Sequence, residues 1–334
     1  MNLEGKDDQS NKPIFVQALW RTSSTYTLSK FRELQELRCY TKPFHHDLEK
    51  SPSELQRAFE NAAKRHSFPF IDKSYYDEFE AKENGVPEYN WEFSTQDYVL
   101  GARDEQPAME SYLANLIAKA KEKQKRPMMQ FNRGILRASW LQERFGATSL
   151  YISRSPLKML ESYKRLAQKR QQYYMACYLG ILGQNSDNPL LAEMADYAGA
   201  PMHQTDSYRA HFMFYNRLAN ALPDDKARDV VGFFWSLGIL NATKYAATTL
   251  DMELQIEQGK KTPGIFHDEV KRTTGLSIDF SDLNSIGDEG VLRTSEEARK
   301  ITRNAANDLE PDIRRLENFP LAQSTKRQLT ACLG

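Results

Sequence analysis

Ile14-Phe15-Val16-Gln17-Ala18-Leu19 is a short, mostly apolar run that ends in the polar cluster Arg21-Thr22-Ser23-Ser24-Thr25. A run of this length reads as a buried strand. Leu28, Phe31, Leu34 and Leu37 follow at three-residue steps, which gives an apolar face to a helix beginning near Thr25. The chain therefore opens as strand, polar turn, helix, and the alternation continues. A short strand is expected over Arg38–Thr41. A helix is expected over Ser51–Lys64, with Ser51 or Ser53 as N-cap and Glu54 in its first turn. A further helix over 108–125 buries Tyr112, Leu113, Leu116 and Ile117 and exposes Lys119, Lys121, Lys123 and Lys125. Then come the strand Pro127–Asn132, a helix carrying Trp140 and Leu141, the strand Ser149–Ile152, and a helix with Met159, Leu160 and Tyr163 after Arg154-Ser155-Pro156. Strands alternating with helices at this spacing predict βαβ units and a mostly parallel sheet flanked by helices, an α/β fold in three layers.

The remaining segments carry weaker signals. Residues 66–105 read as loops and short helices over the core. Residues 171–258 are helical and aromatic-rich, and are read as a helical lid or acceptor-side layer over the strand ends. Residues 259–293 read as irregular. Residues 294–320 read as a charged helix capped at Thr294 or Ser295, offering either a homodimer surface or a solvated face. The polar stretch 1–13 reads as a disordered tail and 14–334 as one domain.

Charge and composition narrow the function classes. With 45 basic and 45 acidic residues the net charge is zero, which argues against a nucleic-acid partner but leaves room for a local anion site. Cys39, Cys177 and Cys332 are too far apart for a disulfide framework or a zinc spacing. The six histidines do not combine with cysteines into a ligand set, so no metal is expected. The acidic, polar start is unlike a signal peptide, and no stretch approaches a membrane span, so a cytoplasmic protein without stable membrane insertion is expected.

The turn Arg21-Thr22-Ser23-Ser24-Thr25-Tyr26 sits where a strand hands over to a helix N-terminus. First-turn N–H groups lack partners there and the helix dipole favours an anion. The turn lacks the glycines and lysine of an ATP-binding phosphate loop, which argues against a kinase. It resembles instead the 5′-phosphosulfate loop of sulfotransferases that use 3′-phosphoadenosine 5′-phosphosulfate (PAPS), with Ser23 where glycine is usual. That family carries a second element, an arginine after a strand and a serine eight residues on. Here Arg154 follows Leu150-Tyr151-Ile152-Ser153, and Ser162 stands eight residues later. The resemblance covers roughly residues 14–165. It implies a P-loop-like fold and PAPS as co-substrate, with 3′,5′-ADP as product. It also implies that Arg21, Thr22, Ser23, Ser24, Thr25 and Tyr26 hold the phosphosulfate while Arg154 and Ser162 grip the 3′-phosphate. A bidentate guanidinium and a hydroxyl donor suit a phosphate.

For the transfer step, Arg21 is placed to stabilise charge on the sulfuryl and bridging oxygens, and Arg133, at the end of the 127–132 strand, is a second candidate. Arg137 is read as a helix-surface ion-pair residue and Trp140 as core packing. The family resemblance implies a glutamate or histidine base near the end of the second strand. This chain has Lys42 where relatives carry glutamate, which leaves His45 and His46 as candidates. A lysine serves as base only when its pKa is strongly depressed. The expected acceptor is a hydroxyl or amine on a carbohydrate, lipid, small molecule or peptide. The alternative is a catalytically impaired nucleotide-binding or interaction protein on the same fold.

Overall fold

The computed structural model describes residues 12–66, 74–167, 172–258, 264–282 and 290–334. Of the expected tail, only Lys12 and Pro13 lie within them. Their carbonyls accept from Arg126 Nε (2.6 Å) and from the Thr148 amide (2.8 Å).

Five strands form one all-parallel sheet: β1 (Ile14–Ala18), β2 (Leu37–Thr41), β3 (Arg126–Phe131), β4 (Thr148–Ser153) and β5 (Thr248–Asp251), in the order β2-β3-β1-β4-β5. The helices in chain order are α1 (Ser24–Arg32), α2 (Pro52–His66), α3 (Pro107–Glu122), α4 (Ala138–Phe145), α5 (Pro156–Ala167), α6 (Tyr173–Gln184), α7 (Pro189–Ala198) and α8 (Tyr208–Ala221). They continue with α9 (Asp224–Tyr245), α10 (Met252–Gln258), α11 (Ile265–Thr274), α12 (Glu296–Asp308), α13 (Ile313–Asn318) and α14 (Gln323–Leu333).

Every residue of β1, β2 and β4 is buried, as a parallel sheet covered on both faces requires. Right-handed crossovers place α1 on one face and α3, α4 and α9 on the other, because the chain steps leftward from β1 to β2 and rightward afterwards. Ring contacts of Phe280 with Tyr26 (6.3 Å) and with Phe266 (5.7 Å) tie α1 to α11. The Tyr40 hydroxyl donates to the Leu116 carbonyl (2.8 Å), tying β2 to α3. At Gly238 of α9 a Cβ would meet the Tyr151 hydroxyl at 2.6 Å, so this glycine lets the helix lie against β4.

Local signals are realised where they are strong. Ser51 donates from its amide and hydroxyl to Glu54 (3.0 and 2.8 Å) at the start of α2. Ser295 accepts from the Ala298 amide (3.2 Å) at the start of α12. Four expectations need correction. Residues 171–258 are not a lid alone. The stretch ends in β5 and α10, and α9 is buried along most of its length because Val230–Leu240 is apolar all round. Residues 259–293 contain α11. The charged segment 294–320 is two helices, broken around Pro311. Arg137 is not on the surface. It is 0% exposed and donates to the carbonyls of Phe93, Gln96, Asp97 and Arg133. Trp140 packs in the core as expected, its indole N–H on the Asp104 carbonyl (3.0 Å). Among the described residues no helix is long and apolar enough to cross a membrane.

Candidate anion-binding site

In an open parallel sheet, ligands bind beyond the carboxyl ends of strands whose connections diverge. Here β1 leads away toward β2 and its neighbour β4 leads away toward β5. The loops after β1 and β4 therefore flank a crevice, and they carry the two segments singled out from the sequence, 21–26 and 154–162.

The loop after β1 is held by its carbonyls. Leu19 accepts from Thr22 Oγ1 (2.9 Å) and Asn132 Nδ2 (3.1 Å), Trp20 from the Tyr163 hydroxyl (2.9 Å), and Arg21 from Arg154 (3.4 Å). Arg21 and Ser23 both adopt left-handed backbone (φ 67° each). For residues with a Cβ this costs on the order of 1–2 kcal/mol each. Ser23 thus takes the conformation glycine would take without strain. Its side chain makes no cap bond to α1, so the first-turn N–H groups stay available to an outside acceptor. Thr22 is buried with its hydroxyl turned inward. Ser24 is buried as well, near Asn132 Nδ2 (3.5 Å), and Tyr26 faces the segment after α11, donating to Asp282 (2.5 Å).

Across the crevice, Arg21 Nε donates to Ser162 Oγ at 2.8 Å, joining positions 141 residues apart. Ser162 is buried and steadies Arg21. Arg154 lies alongside, its own carbonyl accepting from the Trp235 indole (2.9 Å). Burial lowers the Arg154 pKa, Glu253 opposes this, and Arg21 and Arg165 add to it. The N-terminus of α5 already has its anion: Glu253 accepts from the Ser155 amide (3.2 Å) and pairs with buried Lys158 (3.2 Å). Further along α5, Tyr163 is buried and Lys164 pairs with Asp224 (2.7 Å).

The end of β2 supplies the third wall. Lys42 has φ 55° although it precedes Pro43, a position normally restricted to extended backbone. Its Nζ lies 4.7 Å over the Tyr75 ring. Its pKa is pushed down to about 8 by burial, with Arg133 and Arg21 adding to the effect and Asp47 opposing it. His45 and His46 are tucked in, each about an eighth exposed. His45 Nδ1 accepts from the Asp47 amide (3.2 Å) and Nε2 meets the Tyr173 hydroxyl (3.2 Å). The His46 ring is stacked between His45 (4.2 Å) and Tyr208 (3.6 Å). Burial pushes His45 well below its ordinary range. It takes His46 down to about 3, aided by Arg133 and Lys50 against the pull of Asp47.

The ligand atoms of His45, His46 and Asp47 lie within 4.8 Å of one another. Asp47 already carries Lys50 and His45 Nδ1 accepts the Asp47 amide, while His46 Nδ1 has no hydrogen-bond partner among the described residues, and the cations nearby oppose a further positive ion. Arg133 is 2% exposed, against the Phe44 carbonyl (3.1 Å), Cys177 Sγ (3.5 Å) and the Trp20 ring (5.5 Å). Its charge reaches the crevice through protein rather than through solvent.

Among the described residues none of Arg21, Lys42, Arg133 and Arg154 has a carboxylate within 4.0 Å. Cations gathered without counter-ions in a partly desolvated crevice are costly, and a bound anion would relieve that cost. No protein-family model, curated protein or solved structure matches the chain. Sequence reasoning missed Tyr174, whose phenol is raised by burial and drawn back by adjacent Arg21. It also missed Asn132, which braces the loop. Neither belongs to a contiguous motif, and only the Asn132 position at a strand end hints at its role.

Proposed function

We propose that this protein is a sulfotransferase. It takes the sulfuryl group of PAPS and passes it to a hydroxyl or amine of a carbohydrate, lipid, small-molecule or peptide acceptor. One observation carries the reading. The Arg21–Ser162 hydrogen bond joins the loop after β1 to the helix after β4 at the diverging strand ends, so two sequence elements that suit one adenosine anion phosphorylated at both its 3′ and 5′ positions face one crevice. The left-handed loop ahead of α1 supports a P-loop-like role on this sheet. In this reading the 21–26 loop holds the 5′-phosphosulfate through first-turn N–H groups. Arg154 takes the 3′-phosphate. Arg21, fixed by Ser162, stabilises the charge that develops on the bridging oxygen, and Arg133 adds to the field from beneath.

Calorimetry with 3′,5′-ADP, 5′-AMP and ATP tests the site. 3′,5′-ADP should bind at least about tenfold more tightly than 5′-AMP, and Arg154→Ala should erase most of that difference. Equal affinities in the wild-type protein would reject the 3′-phosphate assignment. Transfer of label from ³⁵S-PAPS to an acceptor panel then separates an enzyme from a nucleotide-binding protein.

A further inference from the structure

We propose that Lys42, rather than His45 or His46, is the general base for the acceptor, an inference that rests on the sulfuryl-transfer reading above. Lys42 extends the β2–β3 ladder by one bond, its amide donating to the Gln130 carbonyl (2.7 Å), and then leaves it at positive φ. The turn that follows is fastened by His45 N to Lys42 O (2.8 Å) and by the Tyr112 hydroxyl to Pro43 O (2.9 Å). Strain held by such over-determined surroundings concentrates at functional positions. Arg21 and Ser23, in the adjacent loop, are strained in the same way.

Two other lysines withdrawn from solvent find an acid. Lys30 pairs with Asp282 (2.9 Å) and Lys158 with Glu253 (3.2 Å). Lys42 has no such partner among the described residues; it faces the Tyr75 ring, with Arg21 and Arg133 on one side and Asp47 as the opposing acid. A lysine in that company releases its proton near neutral pH, and the value of about 8 leaves an appreciable neutral fraction. The histidines are poorly placed for the task. With Nδ1 accepting the Asp47 amide, neutral His45 carries its proton on Nε2 and has no free lone pair. His46 is covered on both ring faces and is too weakly basic.

The step balances as follows. The acceptor oxygen forms a bond to sulfur while its proton passes to Lys42 Nζ. The bond from sulfur to the bridging oxygen breaks, its electron pair stays on the 5′-phosphate, and 3′,5′-ADP leaves. Lys42 afterwards returns the proton to solvent.

The test uses the full chain with ³⁵S-PAPS and 2-naphthol, an acceptor whose hydroxyl stays protonated at neutral pH. Wild-type kcat/KM should rise with pH and level off above an inflection near 8. Lys42→Arg should keep 3′,5′-ADP affinity while kcat falls by roughly 10²–10⁴-fold. Lys42→Glu should recover part of the rate and move the inflection to the carboxylate range. Reductive ¹³C-methylation of the wild-type protein, with an NMR titration of the Lys42 signal, reads its pKa without turnover. A Lys42 titration in the ordinary lysine range, or Lys42→Arg turnover within about threefold of wild type, overturns the inference while leaving PAPS chemistry standing. Failure of the wild-type protein to transfer to 2-naphthol or to any other member of the acceptor panel, with 3′,5′-ADP binding intact, overturns the transferase reading and the base together.

Discussion

Acid should destabilise this protein through His46, and the effect has a calculable size. The ring is stacked between His45 and Tyr208 and its folded pKa lies near 3, against an ordinary value of 6.5. Burial is the main cause. Arg133, Lys50 and His211 act in the same direction and Asp47 opposes them. Above the ordinary value the imidazole is neutral in both folded and unfolded chains, and the site contributes no pH dependence. As pH falls below it, the unfolded chain takes up a proton that the folded chain refuses. Stability is therefore lost from about pH 6.5 downward, at about 1.4 kcal/mol per pH unit. At about pH 5 the loss is about 2 kcal/mol, a sizeable part of a typical domain's stability. His45, depressed for the same reasons, adds to it. His46→Phe keeps a ring against Tyr208 and removes the proton site. Urea unfolding of both proteins at about pH 7.5 and about pH 5 gives the comparison, and the difference of differences cancels any change in packing. The wild-type protein should lose about 2 kcal/mol more than the variant on acidification. Equal losses would mean that His46 protonates freely in the folded state, and the tight enclosure described above would be wrong.

Two further outcomes follow from named contacts. Ser162→Ala removes the hydroxyl that accepts from Arg21 Nε (2.8 Å) and should lower kcat for PAPS by about tenfold, with stability changed by no more than about 1 kcal/mol; thermal unfolding read beside single-turnover transfer separates the two effects. Arg137→Leu leaves the carbonyls of Phe93, Gln96 and Asp97 without their buried donor and should cost about 3–5 kcal/mol by urea titration, whereas a loss below about 1 kcal/mol would show that water replaces the guanidinium.

Much of the architecture was written locally in the chain. The strands at 14–18, 37–41, 126–131 and 148–153 follow from short apolar runs, and Ser51 with Glu54, like Ser295, marked helix starts through side-chain chemistry that needs no distant partner. Where the signal depends on what arrives from elsewhere, reading along the chain failed. Thr248-Thr249-Leu250-Asp251 offers one strongly apolar residue, and it is a strand because β4 presents an open edge to it. α9 looked like a cover and is core, since the sheet face it fills is invisible from residue 224. Arg137 looked like a surface cation because its carbonyl acceptors lie some forty residues upstream.

The candidate site divides along the same line. Sequence alone determined the two elements, Arg21–Tyr26 and Arg154 with Ser162, because each is a contiguous string at a strand end. Tertiary structure alone decided that Arg21 meets Ser162, that Arg137 is buried and that Lys42 stands among cations with no carboxylate paired to it among the described residues. Residue type sets what a side chain can donate or accept. Its pKa and its partners are set by the field and the solvent exclusion that distant segments create when they pack around it.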